Sequence, residues 1–323
     1  MKRPQELGRF PAAEVARQLL LAHLDAAAEA HRRLARHTDA DALHDFRVAL
    51  RRLRSVLRAY RRQLEAVPKK LRKRLRALAR TTNAGRDAEV QLEWLRRQKN
   101  IPAMERAGYE WFRRRLERAR NRAYTDIRRD VPVYFSAIEG NLRKALRPIA
   151  PAKTGSYAAA TAGLLVDYGA RLGRKLACIR SIADQDKIHG ARIAGKRLRY
   201  ILEPLAAELS GAKRTVESLK TFQDRFGLLC DDFARARALR QAAETLGADR
   251  ARAALERASG APAEVPDSLE SLLPGLAALA RRVEREAARR YAAIERRYLG
   301  DAGRTFLKPV SVLAHRLGTA ARH

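Results

Sequence analysis

Apolar residues recur at intervals of three and four along almost the whole chain, as at Val15 and Leu19 and again at Leu53, Val56, Leu57 and Tyr60. That spacing lines one face of an α-helix. No convincing run alternates apolar with polar residues, as a half-buried strand would. The predicted fold class is therefore all-α. Breakers divide the pattern at Pro11, Pro68, Gly85, Pro102, Pro132, "PIAPAKTGS" (148–156), "LSGAK" (209–213) and "ASGAPAEVPDS" (258–268). Between them the spacing predicts helices over 12–37, 41–65, 68–83, 86–99, 103–130 and 132–147, then 157–183, 185–209, 212–226, 228–246, 267–299 and 301–318. Pro204 falls inside one of these and predicts a kink near its end.

The two sets of helices match element for element, with a period near 145 residues. "LHDFRVALRRLRSVLRAYRRQL" (43–64) aligns without a gap on "IHGARIAGKRLRYILEPLAAEL" (188–209), with eight identities in 22 positions. They include His44/His189, Arg47/Arg192, Arg52/Arg197 and Arg54/Arg199. The expected organisation is an N-terminal helical-bundle half, 1–150, and a C-terminal half, 151–323. Two such halves are expected to pack about a pseudo-twofold axis, leaving a shared groove or pore.

At about 100° per residue, His44, Arg47, Arg51, Arg54 and Arg58 share one stripe of their helix. Phe46, Ala49, Leu50, Leu53, Val56, Leu57 and Tyr60 occupy the other side, predicted to face the core. In the second copy the stripe is His189, Arg192, Lys196 and Arg199, and Glu203 stands where the first has Arg58. Arg52 and Arg197 are predicted to point elsewhere. Like charges one turn apart repel by a few tenths of a kcal/mol per pair, yet residues 46–64 contain no acid. An extended anion lying along the stripe offsets that repulsion. A second, weaker stripe follows in "KKLRKRLRALAR" (69–80): Lys69, Lys73, Arg76 and Arg80, with Leu71, Leu75 and Leu78 opposite. Its counterparts in the second half are Lys213 and Lys220, with Glu217 and Asp224 in place of the other two cations. The histidines either orient their helices or contact the anion, with Asp41 or Asp186 as candidate helix caps. No second His or Cys stands at metal-ligand spacing, so neither a metal nor any other cofactor is expected.

Charge agrees with the stripes. The chain has 68 Lys and Arg against 36 Asp and Glu, a formal net charge of +32. Such an excess calls for a polyanionic partner, and the preponderance of arginine suits phosphate. Hydrophobic residues make up 46% of the chain, enough for a core. Cys178 and Cys230 sit in apolar stretches and are expected to be buried reduced thiols. "MKRPQELGRF" has no apolar signal region and no run is long enough to span a bilayer, so the expected compartment is cytoplasmic.

"HDFRVALRRLR" and "HGARIAGKRLRY" resemble the signatures of the CHAD domain, the conserved histidine α-helical domain. "TTNAGRDAEV" and "FQDRFGLLCDD" resemble that family's motif ending in an Asp shortly after a Gly, and the likeness covers about 12–318. The resemblance implies two helical bundles with a basic channel between them, binding of inorganic polyphosphate, and association with polyphosphate granules. It assigns anion contact to His44, Arg47, Arg51, Arg54, Arg58, His189, Arg192, Lys196 and Arg199. Glu203 departs from a symmetric pair of stripes, and "TTNAG" from the family's more apolar version of that segment. Many such domains are fused to a CYTH triphosphate-processing domain. The acidic pair in "VEREAARR" lacks the lysine that usually follows in it, which implies a stand-alone binding module.

Three functions compete on these residues. Non-catalytic polyphosphate binding fits periodic stripes, and the chain lacks a Gly-rich nucleotide loop or a carboxylate cluster for magnesium. Nucleic-acid or nucleoid binding fits the charge. However, aromatics are 6% of residues and none interleaves the ladder, so stacking on single strands is poorly supported. Phosphotransfer through His44 or His189 needs a small residue one turn on, where Val48 and Ile193 stand.

Overall fold

A computed structural model of the chain describes residues 8–35, 39, 41–147, 155–259 and 269–321. Its helices, in order, are α1 (Ala12–Ala35), α2 (Ala42–Ala59), α3 (Lys69–Thr81), α4 (Asn83–Arg96), α5 (Ala103–Ala145), α6 (Tyr157–Ala177), α7 (Gln185–Leu202), α8 (Ala212–Ala258), α9 (Leu269–Tyr298) and α10 (Gly300–Ala320). Among the described residues there is no strand, only an isolated bridge between Pro11 and Ser156. The all-α expectation holds. The boundary between the expected halves, at 150/151, lies outside the described residues, as does most of the 258–268 breaker.

Several predicted helix ends move. Helix α5 runs unbroken through Pro132. Interior proline costs about 3 kcal/mol, but Ile127, Val131, Phe135 and Ile138 are buried on either side of it and hold the helix together. Helix α8 likewise continues through Gly227, between buried Phe226 and Leu229. An interior glycine costs only about 1 kcal/mol. Pro204 does not kink α7. The helix stops at Leu202, and the proline opens a 3₁₀ turn, Glu203–Leu205, where its missing N–H is not needed. Neither candidate cap acts as one. Asp41 makes no side-chain cap bond, and Asp186 lies inside the first turn of α7. Asp184 takes the cap position, and its Oδ2 accepts from the backbone N–H groups of Arg180 and Ser181 instead.

Contacts group the chain into two compact units. The first comprises Met1–Asn83, Tyr124–Phe226 and Ile294–His323. In it α1 packs on α2, α6 on α7 and α10, and α2 on α3 and α7. Phe46 and Phe135 meet edge to face at 5.1 Å between centroids. Phe222 packs against Phe226, Tyr298 and Phe306. The closeness of α7 to α8 depends on Gly195, where an added Cβ would overlap the Phe222 ring. Beyond the end of α2, the buried Tyr60 hydroxyl shares a 2.8 Å hydrogen bond with the Thr161 hydroxyl of α6.

The second unit comprises Ala84–Ala123 and Gly227–Ala293. Leu92, Trp94, Trp111, Phe112, Leu239, Leu276 and Val283 are among its core residues. Gly108 of α5 and Gly275 of α9 allow backbone-to-backbone approach, since a Cβ on either would overlap a carbonyl oxygen of the other helix. Asp232 of α8 is fully buried and accepts from Arg235 at 2.6 Å and from Arg290 of α9.

The thiols depart from expectation. Cys178 caps the C-terminus of α6 and is exposed, and Cys230 is half-buried. The neighbouring Ile179 and Leu229 take the buried positions instead. Among the described residues, no helix is long and apolar enough to cross a membrane.

Candidate anion-binding site

Helix α2 has the two faces its spacing dictates. Phe46, Ala49, Leu50, Leu53, Val56, Leu57 and Tyr60 are all buried. Arg47, Arg51 and Arg54 are half-buried on the other side, and His44 and Arg58 are exposed. The contact of α2 with α7 brings the two ladders together. Lys196 of α7 shows this best. Its burial, with Arg192 and Arg199 of its own helix and Arg47 and Arg51 of α2, lowers its pKa to about 6. His189, at the start of α7, is lowered by desolvation, then by Arg192 and Lys196. Arg54 is lowered by burial and then by Arg58, Arg76, Arg197 and Arg80.

Between these helices and α3 lies a cavity of about 560 Å³. Arg51, Arg54, Arg58, Lys69, Lys73, Arg76 and Lys196 line it, with no carboxylate in the lining. A wider cavity of about 950 Å³ adjoins it, sharing Arg58, Arg61, Lys69, Arg72 and Arg197 and adding Arg171, Glu65 and Asp167. The Nε groups of Arg51, Arg72 and Arg192 are buried and have no acceptor among the described residues. Buried N–H groups are nearly always bonded, but Arg52 and Arg235, the latter in the second unit, have the same kind of Nε, so these groups do not by themselves mark a ligand.

Seven of the predicted residues thus line one cavity, and Arg47, Arg192, Arg199 and His189 crowd Lys196 beside it. His44 is exposed on the first turn of α2, and Lys213 and Lys220 are exposed on α8, none of them in this lining. Within the site, the expectation for Arg197 fails. Arg197 does not point away: it lines both cavities and presses on Arg54. Helical angle alone set it off the stripe, but a side chain of that length reaches round the helix. Arg61 and Arg72 also line the cavity, outside the stripes that the sequence predicts. Arg61 lies past the end of α2 and Arg72 off the α3 stripe, so neither followed from periodicity within a helix.

Two arginines are braced. Arg47 donates to the Thr82 hydroxyl at 2.7 Å and to the Asn83 carbonyl oxygen at 3.1 Å. The polar "TTNAG" segment therefore supplies the partners that position Arg47. Arg199 donates to Gln223 at 3.0 Å, pairs with Glu203 at 2.5 Å, and lies 4.8 Å from the Tyr200 ring centre. Glu203 also takes Arg52 at 3.5 Å. The second stripe thus closes on its own acid where the first continues to Arg58.

The CHAD domain family matches residues 18–240, and the chain belongs to that family. Solved structures agree in fold. The crystal structure of the CHAD domain from the plant Ricinus communis is similar over 97% of this chain and 96% of that one, with a TM-score of 0.60 and 19% identity. PptA from Streptomyces chartreusis is similar over 89% of this chain and 99% of that one, with a TM-score of 0.65 and 17% identity. No curated protein matches the chain.

Proposed function

We propose that this chain binds inorganic polyphosphate without catalysis, that α2 and α7 each supply one wall of the site, and that binding places the protein on cytoplasmic polyphosphate granules. The observation that carries the reading is the cluster around Lys196 and Arg54, where two helices press like charges together with no acid in the cavity lining. A repeated phosphate chain offers evenly spaced oxygens to such a row, and guanidinium groups bind them in pairs. The 145-residue repeat supports a pseudo-twofold relation between the walls. A lining of cations, without a carboxylate to hold magnesium, supports binding rather than turnover.

The test is a binding isotherm for long-chain polyphosphate and for duplex DNA of equal charge, on wild type and on Arg51→Ala/Arg54→Ala/Arg192→Ala. These three are chosen because Arg47 braces the α3–α4 junction. Wild type is expected to prefer polyphosphate. The variant, with helicity unchanged by circular dichroism, is expected to lose about 100-fold or more in affinity and to show a shallower salt dependence, its log–log slope smaller by about two to three. Equal affinity of the folded variant, or no preference over DNA, refutes the proposal.

A further inference from the structure

A third cavity, of about 850 Å³, lies in the first compact unit among the start of α8, the end of α9 and α10. That volume is within the range of roughly 300–1,000 Å³ usual for small-molecule sites. Its cations are Arg214, Arg296, Arg297, Lys308 and Arg316, and no carboxylate appears in the lining. Arg214, Arg296 and Lys308 have no ion pair or hydrogen bond among the described residues. Arg316 is held in place by a 3.3 Å bond to the Ser210 carbonyl. The hydroxyls of Ser218 and Thr305 stand among the cations, and the first turn of α8 adds its positive dipole end.

Helix α10 also brings apolar residues to the lining, beside Lys308 and Arg316. They are Phe306, Pro309, Val312 and Leu313, and Val312 is 49% exposed. The balance differs from that of the ladder cavity. Five of 16 lining residues are cationic here, against ten of 14 there. A long inorganic polyanion suits the denser cluster. It would leave these apolar residues in contact with water.

We infer that this cavity is a separate site for a phosphate ester with an apolar or aromatic body, a nucleoside triphosphate being the simplest probe. The phosphates lie against Arg214, Arg296 and Arg316, and the organic body covers Val312, Pro309 and the edge of Phe306. Burying that body removes apolar surface from water at about 25 cal/mol per Å², an interaction that a bare phosphate chain does not make. No bond is made or broken.

The experiment compares ATP with inorganic tripolyphosphate by calorimetry on the full chain. It is done in wild type, in the Arg51→Ala/Arg54→Ala/Arg192→Ala variant that removes the ladder cations, and in Arg214→Ala/Arg296→Ala. Both cations in the last variant are exposed and unpaired, so folding is expected to survive their loss. A further variant, Val312→Asp, tests the apolar residues. The expected result is one ATP bound in the ladder variant and tripolyphosphate about tenfold weaker. Arg214→Ala/Arg296→Ala and Val312→Asp should each lose about tenfold or more in ATP affinity while keeping long-chain polyphosphate binding within about twofold. Tripolyphosphate binding as tightly as ATP, or ATP binding unchanged by these variants, overturns the inference. The two sites are read with different ligands and variants, so failure of one reading leaves the other standing.

Discussion

Lys196 makes the electrostatic crowding measurable. Its pKa is lowered from 10.5 to about 6, by burial first and then by Arg192, Arg51, Arg199 and Arg47. A tenfold change in a protonation constant corresponds to about 1.4 kcal/mol between the two protonation states. In the unfolded chain the amine keeps its proton up to its usual value. Between those two pKa values the unfolded state binds more protons than the folded one, so stability rises with pH across that window. The penalty is complete below the folded pKa and gone above the unfolded one. A bound phosphate chain brings negative charge to the same spot and restores the proton. Binding near pH 8 is thus expected to take up close to one proton at Lys196, and affinity should fall by up to about tenfold per pH unit between roughly pH 7 and 9. The assay is calorimetry in two buffers of different ionisation enthalpy, with long chains so that titrating chain ends are dilute. Lys196→Met keeps the volume and removes the titration, so its uptake should fall towards zero. A binding heat independent of the buffer, or equal uptake by Lys196→Met, refutes the account of the crowded site.

Glu203→Gln removes the acid that holds Arg199 and Arg52. Polyphosphate affinity is expected to rise several-fold, roughly 1 kcal/mol for one released charge, and a salt titration indistinguishable from wild type would show that Glu203 does not compete with the ligand. Gly195→Ala places a methyl against the Phe222 ring. It is expected to cost about 1–3 kcal/mol, read as a lower midpoint in thermal unfolding, and an unchanged midpoint would mean that α7 and α8 separate without penalty.

What the sequence revealed was local. The core side of α2 was legible residue by residue, because six of its apolar positions, and Tyr60 just past its end, depend only on the helical period. The basic stripes were legible for the same reason, and seven of their cations line one cavity. Features that depend on distant neighbours were not. Pro132 and Gly227 read as breaks, yet buried residues on either side carry the helices through them. Arg197 enters the cavity because α7 meets α2, which no periodicity within α7 announces. The second compact unit joins residues near 84–123 to residues near 227–293, segments that the 145-residue period sets largely opposite each other, although local periodicity does not say that they pack together. The α8–α10 cavity likewise gathers cations whose spacing along the chain forms no stripe.

Buried Asp232 has a consequence for how the chain finds its own alignment. Over "DDFARARALRQAAETLGADRARAAL", helix α8 is rich in alanine and arginine, and successive turns look much alike. Its apolar contacts in the core come from Leu239, Ala242 and Leu246. One carboxylate with no exposure, held by Arg235 on α8 and Arg290 on α9, does not tolerate a slip along the neighbouring helix. A shift of one turn would strand a charge in the interior, a penalty of about 3–5 kcal/mol. The acid thus acts as a detent, adding an electrostatic penalty for misalignment to the one the core side chains impose.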